Sequence, residues 1–194
     1  MKKYTKTMIV VLLMVVTGLG YYYYLANRTP SVDATQQAID NPKLASLTAK
    51  DISLNYPQAP KEVVKLYAEI TKAYYETNTT DEQVAQLGKQ ARVLFDDELK
   101  GKQTEAEFLD ALQREVSSYR EISRYISDFK IEGSSNTKYT TMNGKDYASI
   151  NLVYYIRDNS KLQYSYNRFV LRKDAEGRWK ILYWELISPE DIKE

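Results

Sequence analysis

Residues 147–187, YASINLVYYIRDNSKLQYSYNRFVLRKDAEGRWKILYWELI, constrain the fold more than any other stretch of this chain. They are dense in β-branched and aromatic residues and are broken at Asp158-Asn159 and at Asp174–Gly177 by residue types that reverse a chain. Three consecutive antiparallel strands follow from that pattern. Residues 122–132 (ISRYISDFKIE) alternate well enough to supply another, and residues 133–146 read as a long polar connection with a turn signal at Asn143-Gly144. A sheet of about four strands with apolar faces must be covered by the rest of the chain.

The cover is supplied upstream by three amphipathic helices. Pro60 suits a first helical position, and Val63, Leu66, Tyr67, Ile70 and Tyr74 then fall on one face at helical spacing. Thr80 with Gln83 makes a capping-box pattern ahead of a second stripe, Val84, Leu87, Ala91, Leu94, Phe95 and Leu99, closed by Gly101. Thr104 with Glu107 repeats the box before Phe108, Leu109, Leu112, Val116 and Tyr119. Helices followed by strands make this an α+β domain over residues 60–188, with 189–194 as a short C-terminal tail.

The first 59 residues have a different character. Met8 to Ala26 carries no charge and, at about 1.5 Å per residue, is long enough to cross a hydrocarbon core of roughly 30 Å. Lys2, Lys3 and Lys6 precede it, so the positive-inside rule keeps the N-terminus in the cytoplasm and places the rest outside. Residues 1–27 therefore read as a cytoplasmic tail and single-pass anchor in the cell membrane. The competing reading is a cleaved signal peptide with Gly18 and Gly20 before the cut. Residues 28–59 are polar, rich in proline and without a sustained period, which suits a tether. A loosely packed extension of the domain is the alternative for residues 47–59.

Composition excludes several classes of function. The chain has no cysteine and no histidine, which removes thiol nucleophiles, Ser-His-Asp triads and His/Cys zinc sites. A formal net charge of +1, with residues 60–194 slightly acidic, argues against nucleic-acid binding. No glycine-rich phosphate loop is present, and Asp96-Asp97-Glu98 reads as a solvated helix face rather than a cation site. No cofactor, metal or catalytic residue is expected.

The Asp174-Ala175-Glu176-Gly177-Arg178-Trp179-Lys180-Ile181 run, preceded by Phe169-Val170-Leu171, resembles the last hairpin of nuclear-transport-factor-2-like domains. The resemblance covers residues 60–188. Tyr56-Pro57 with Pro60, the Leu94–Leu99 segment, Asp146-Tyr147-Ala148-Ser149 and the final hairpin also make the layout similar to single-pass, envelope-anchored bacterial proteins that carry this fold. The resemblance implies a cystatin-like cone, with helices packed on the concave side of a curled sheet that often encloses a pocket. It does not choose a function.

Pairing Arg157 with Lys161 and Arg172 with Arg178 assigns the sheet faces by alternation. One face collects Ile150, Leu152, Tyr154, Ile156, Leu162, Tyr164, Tyr166, Leu182, Trp184 and Leu186. The other collects Tyr147, Val153, Tyr155, Phe169, Leu171, Trp179, Ile181 and Tyr183 with polar interruptions. Helices on one side cover one face, so the second needs its own bend, the tether, a second copy of the chain or another protein. The mixed face makes the better pocket candidate, with Trp179, Tyr183 and Tyr155 as walls and Asn151, Ser165, Asn167 and Glu185 as polar groups. The expected function is a non-catalytic binding or interaction module outside the cytoplasmic membrane. The alternatives are a scaffold subunit of an envelope machine, as in conjugative type IV secretion, and an isomerase or dehydratase using Glu185 with a tyrosine.

Overall fold

The computed structural model describes residues 42–192. The expected membrane segment at 8–26 and the start of the expected tether lie outside the described residues. Among the described residues no helix is long and apolar enough to cross a membrane.

The domain is α+β, with helices packed against an antiparallel sheet. Helix α1 (Pro42–Ala49) leads into α2 (Pro60–Tyr74), α3 (Asp81–Val93), the single turn α4 (Asp97–Lys100) and α5 (Glu105–Glu121). The strands are β1 (Arg124–Ile131), β2 (Lys138–Met142), β3 (Lys145–Asp158), β4 (Lys161–Lys173) and β5 (Trp179–Leu186). Both capping boxes form. The Thr80 amide donates to Gln83 Oε1 at 2.9 Å, and the Thr104 amide donates to Glu107 Oε2 at 2.8 Å. Each satisfies donors that a helix start leaves without partners.

Helix α3 is shorter than the apolar stripe that marks it in the sequence. It stops at Val93, and Leu94-Phe95-Asp96 run beside β5 instead. The Asp96 amide donates to the Ile181 carbonyl and the Ile181 amide to the Leu94 carbonyl, both at 2.8 Å. Leu94 and Phe95 are therefore buried as part of a strand-like edge, not as helix positions.

The sheet has five strands, in the order β1-β3-β4-β5, with β2 also paired to β3. The long strand β3 takes β2 along its first half and β1 along its second. The connection expected at 133–146 thus contains a strand of its own, formed because Asn143 and Gly144 adopt the positive φ of a tight hairpin (52° and 73°).

The β3–β4 register corrects the expected faces. Asp158 pairs with Lys161, leaving Asn159-Ser160 as a two-residue loop with Asn159 at φ 54°. Arg157 faces Leu162, one residue away from the expected pairing, and a one-residue slip moves every β4 side chain to the other face. Arg172 likewise faces Lys180 rather than Arg178, and Lys173 pairs with Trp179. A shift between Val170 and Leu171 then places Phe169 opposite Trp184. The helix-covered face consequently carries Ala148, Ile150, Leu152, Tyr154, Phe169, Leu171, Ile181 and Trp184, all but Trp184 buried. Val153, Tyr155, Tyr164, Tyr166 and Tyr183 share the opposite face.

Residues 43–59 pack against the domain, in line with the alternative of a domain extension over 47–59 rather than with a free tether. Leu44, Leu47 and Ile52 join the core, and the Thr48 carbonyl accepts from Gln86 Nε2 and Gln90 Nε2 of α3. The Tyr56 hydroxyl donates to the Trp179 carbonyl at 2.7 Å, which fixes the segment ahead of α2 to β5. The polar composition of the stretch concealed a few apolar anchors spaced along it.

Candidate functional site

The best-formed site lies between the helices and the sheet. A cavity of about 350 Å³ is lined by Tyr67 and Thr71 from α2 and Tyr75 from its C-terminal cap, Phe108, Leu112 and Glu115 from α5, and Tyr154, Asn167, Phe169 and Trp184 from the sheet. Helical spacing explains how one face of α2 serves both core and cavity. Val63, Val64 and Ile70 are fully buried, while Tyr67, Thr71 and Tyr75 advance along the neighbouring line of the same helix and its cap toward the opening. On α5, Phe108, Leu112, Glu115 and Tyr119 follow one another at i, i+4, i+7 and i+11, so a carboxylate interrupts an otherwise apolar stripe.

Aromatic contacts set the walls. The Tyr67 ring meets Phe169 edge-on at 5.6 Å and Trp184 at 5.6 Å, and Phe169 stacks on Trp184 at 6.0 Å. Tyr75 lies 4.5 Å from Tyr119, ring centre to ring centre. Trp184, 40% exposed, and the exposed Glu115 stand at the opening.

The polar groups are few and specific. The Tyr75 hydroxyl donates to Glu115 Oε1 at 2.8 Å. Thr71 donates back to the Tyr67 carbonyl at 2.8 Å, and Asn167 Nδ2 donates to the Ser165 carbonyl and hydroxyl at 3.0 and 3.1 Å. The Tyr154 hydroxyl is buried close to Thr71 and has no hydrogen-bond partner among the described residues. Burial pushes the Tyr67, Tyr75 and Tyr154 phenols well above the ordinary tyrosine range, and the Glu115 charge raises Tyr75 further. All three stay protonated at neutral pH and can only act there as neutral hydrogen-bonding groups. Glu115 forms no ion pair with a lysine or arginine among the described residues, and no basic side chain lines the cavity.

The seven residues expected to share a pocket are dispersed by the register. Asn167 lines the cavity and Ser165 supports it. Asn151 and Tyr155 line a separate cleft of about 580 Å³ on the other face, together with Tyr164 and Tyr166. Asn151 is held there, donating to the Asp191 carbonyl at 3.1 Å and accepting from Arg168 Nε at 3.3 Å, so the chain's own C-terminal turn covers part of the face the helices leave free. Trp179 is buried at the far end of the sheet, with Lys173 Nζ 5.0 Å above its ring. Tyr183 is exposed beside Leu182 and Val170. Glu185 is exposed and lies 3.4 Å from Arg168 Nη1, on the opposite face from the cavity. The carboxylate that stands next to tyrosines in this fold is Glu115.

Acidic clusters offer no alternative centre. Asp96 and Glu98 both bind Arg172, and among the described residues no group of three or more acidic side chains is placed to hold a metal ion.

A family model described as a domain of unknown function (DUF6715) matches residues 1–184. The chain belongs to that family. The DUF6715 match takes in the apolar segment at 8–26, all five helices of the domain and β1 to β4, and ends within β5 at Trp184. No curated protein matches the chain.

Proposed function

We propose that the protein is a membrane-anchored, extracytoplasmic binding module that takes a small ligand, without chemical conversion, into the cavity between α2, α5 and the sheet. The observation that carries this reading is the cavity itself: aromatic walls enclosing a few polar groups, one of them a buried hydroxyl with no partner among the described residues. That composition is how ligand sites are built, and a volume of about 350 Å³ falls within the usual range for small ligands. Helices laid on one side of a sheet that shifts register twice suit the nuclear-transport-factor-2-like cone suggested by the final hairpin. The anchor rests on the uncharged Met8–Ala26 segment behind three lysines, and the DUF6715 match extends from this segment into the domain.

Location and binding are tested together. Because the chain has no cysteine, Ser135→Cys in an exposed loop and Lys6→Cys in the tail give single labelling sites. A membrane-impermeant maleimide should label the first in intact cells and the second only after lysis. Labelling in the reverse order would overturn the orientation. For binding, a panel of small aromatic solutes should change the fluorescence of Trp184 saturably. A linear, unsaturable response to every solute would remove the ligand reading.

A further inference from the structure

The cavity combines aromatic faces with a single formal charge, and that combination selects a class of ligand. Tyr67, Tyr75, Phe108, Tyr154, Phe169 and Trp184 contribute six rings, and Glu115 contributes the only charged side chain among the lining residues. Ring faces carry negative quadrupole potential, so they add to a carboxylate in attracting a cation and in repelling an anion.

Glu115 is unusually placed for this purpose. Tyr75, from the C-terminal cap of α2, donates to its Oε1 and holds the carboxylate at the opening. Among the described residues no lysine or arginine forms an ion pair with it. Arg92 stacks on the lining ring of Phe108 at 5.5 Å and is turned to the Lys100 and Gln103 carbonyls. Arg124 lies over Tyr119 and pairs with Asp158. Nearby guanidinium groups are thus engaged elsewhere while one acid and a set of rings remain for a ligand. Deeper in, Leu112 and Phe169 are buried and apolar, which favours an apolar body behind the charged head.

We infer that the cavity recognises a small organic ammonium ion, its charged head against Glu115 and the rings at the opening, its apolar body directed toward Phe169. This deepens the proposed binding function and rests on it. The attraction does not require a buried ion pair, since the ammonium remains at an opening reached by water and keeps part of its hydration.

The test uses three solutes of similar size and different charge: 2-phenylethylamine, 2-phenylethanol and 3-phenylpropionate. Each is titrated at pH 7 against the full chain in zwitterionic micelles, followed by calorimetry, with Glu115→Gln as the matched control for partition into micelles. The amine should bind the native chain at least about fivefold more tightly than the alcohol, and the propionate most weakly, in keeping with cation–π and surface ion-pair strengths. Glu115→Gln should remove the advantage of the amine over the alcohol while leaving the alcohol's own affinity in place. Equal binding of all three solutes to the native chain would overturn the ammonium assignment and leave the cavity as a binding site. A charge preference that survives Glu115→Gln would overturn it too. Failure of every solute to bind either form at millimolar concentration would overturn the binding function with it.

Discussion

Asp96 joins three parts of the molecule. Its carboxylate accepts the Glu98 amide at 2.9 Å to cap α4, and its two oxygens meet Arg172 Nε and Nη2 at 3.0 and 2.5 Å. Its own amide is bonded to β5. The side chain is 6% exposed, so removing it takes the two-oxygen partner from the Arg172 guanidinium and leaves it only the exposed Glu98. Asp96→Ala should lower stability by about 3 kcal/mol, within the range for breaking one side of a buried pair, whereas Asp96→Asn keeps the cap and should cost less. Urea unfolding of the two variants checks the order; equal losses would mean that the cap contributes little and the charge pair carries the effect. Tyr154 gives the opposite expectation. Its hydroxyl is buried without a partner among the described residues, so Tyr154→Phe should leave stability unchanged or raise it by about 1 kcal/mol. A loss larger than about 1 kcal/mol would show that the hydroxyl is satisfied in solution. At this scale the sequence concealed the cavity. Tyr67 and Tyr154 sit at core positions of their periodic patterns, and nothing local separates a core tyrosine from a lining one. A sharper signal was present in α5, where Glu115 occupies the apolar line of Phe108, Leu112 and Tyr119. A carboxylate at such a position needs a polar neighbour, and Tyr75 is that neighbour.

Among the elements, the helices were legible because each carries both its start signal and its stripe. The hairpins were legible as hairpins but not in register. Asn159 accepts a positive φ more readily than most residues, and by doing so it closes the β3–β4 turn one residue tighter than the expected loop. That single backbone choice decides that Phe169 and Leu171 share a face with Ile150 and Leu152. It also separates Asn151 and Tyr155 from Asn167. Edge pairing was invisible for a related reason: β2 is exposed along its length, so it lacks the burial alternation that reveals a strand. The α3–α5 contact supplies a prediction at this scale. Gly88 lets the helices approach until a β-carbon there would lie 2.7 and 2.9 Å from the methyl groups of Leu109 and Leu112. Those leucine ends can shift for one methyl, and alanine favours a helix over glycine by about 1 kcal/mol, so Gly88→Ala should be nearly neutral. Gly88→Val adds volume that cannot be absorbed and should cost about 2 kcal/mol. Thermal unfolding of the pair distinguishes them, and a harmless valine would contradict the close approach.

For the whole molecule, titration behaviour follows from what is buried. Lys180 is packed over the Tyr56 ring with its ammonium 4.1 Å from the centroid and donating to the Val93 carbonyl. Burial, with Arg178 and Lys100 nearby, brings its pKa down to about 8. Its unfolded value is about 10.4, so between those limits the unfolded chain holds a proton that the folded one has released, and stability rises with pH. Above about pH 10 the sign reverses. Burial raises the phenols of Tyr56, Tyr67, Tyr74, Tyr75 and Tyr154, so the unfolded chain ionises while the folded one stays protonated. Each tyrosine then removes up to about 1.4 kcal/mol per pH unit. Stability should peak between about pH 8 and 10 and fall steeply beyond it. Urea midpoints at pH 7, 9 and 11 measure this, and a flat profile would mean that these groups are hydrated in the folded state. The measurement closest to the central claim asks which face of the sheet a ligand meets. Asn167 marks the cavity and Asn151 the opposite cleft, so their side-chain amides report the two faces separately in a ¹⁵N-labelled protein. Titration with small aromatic amines should move the Asn167 amide and the Trp184 indole while Asn151 stays in place. Movement of Asn151 with Asn167 unchanged, or of neither, would contradict a binding site between the helices and the sheet.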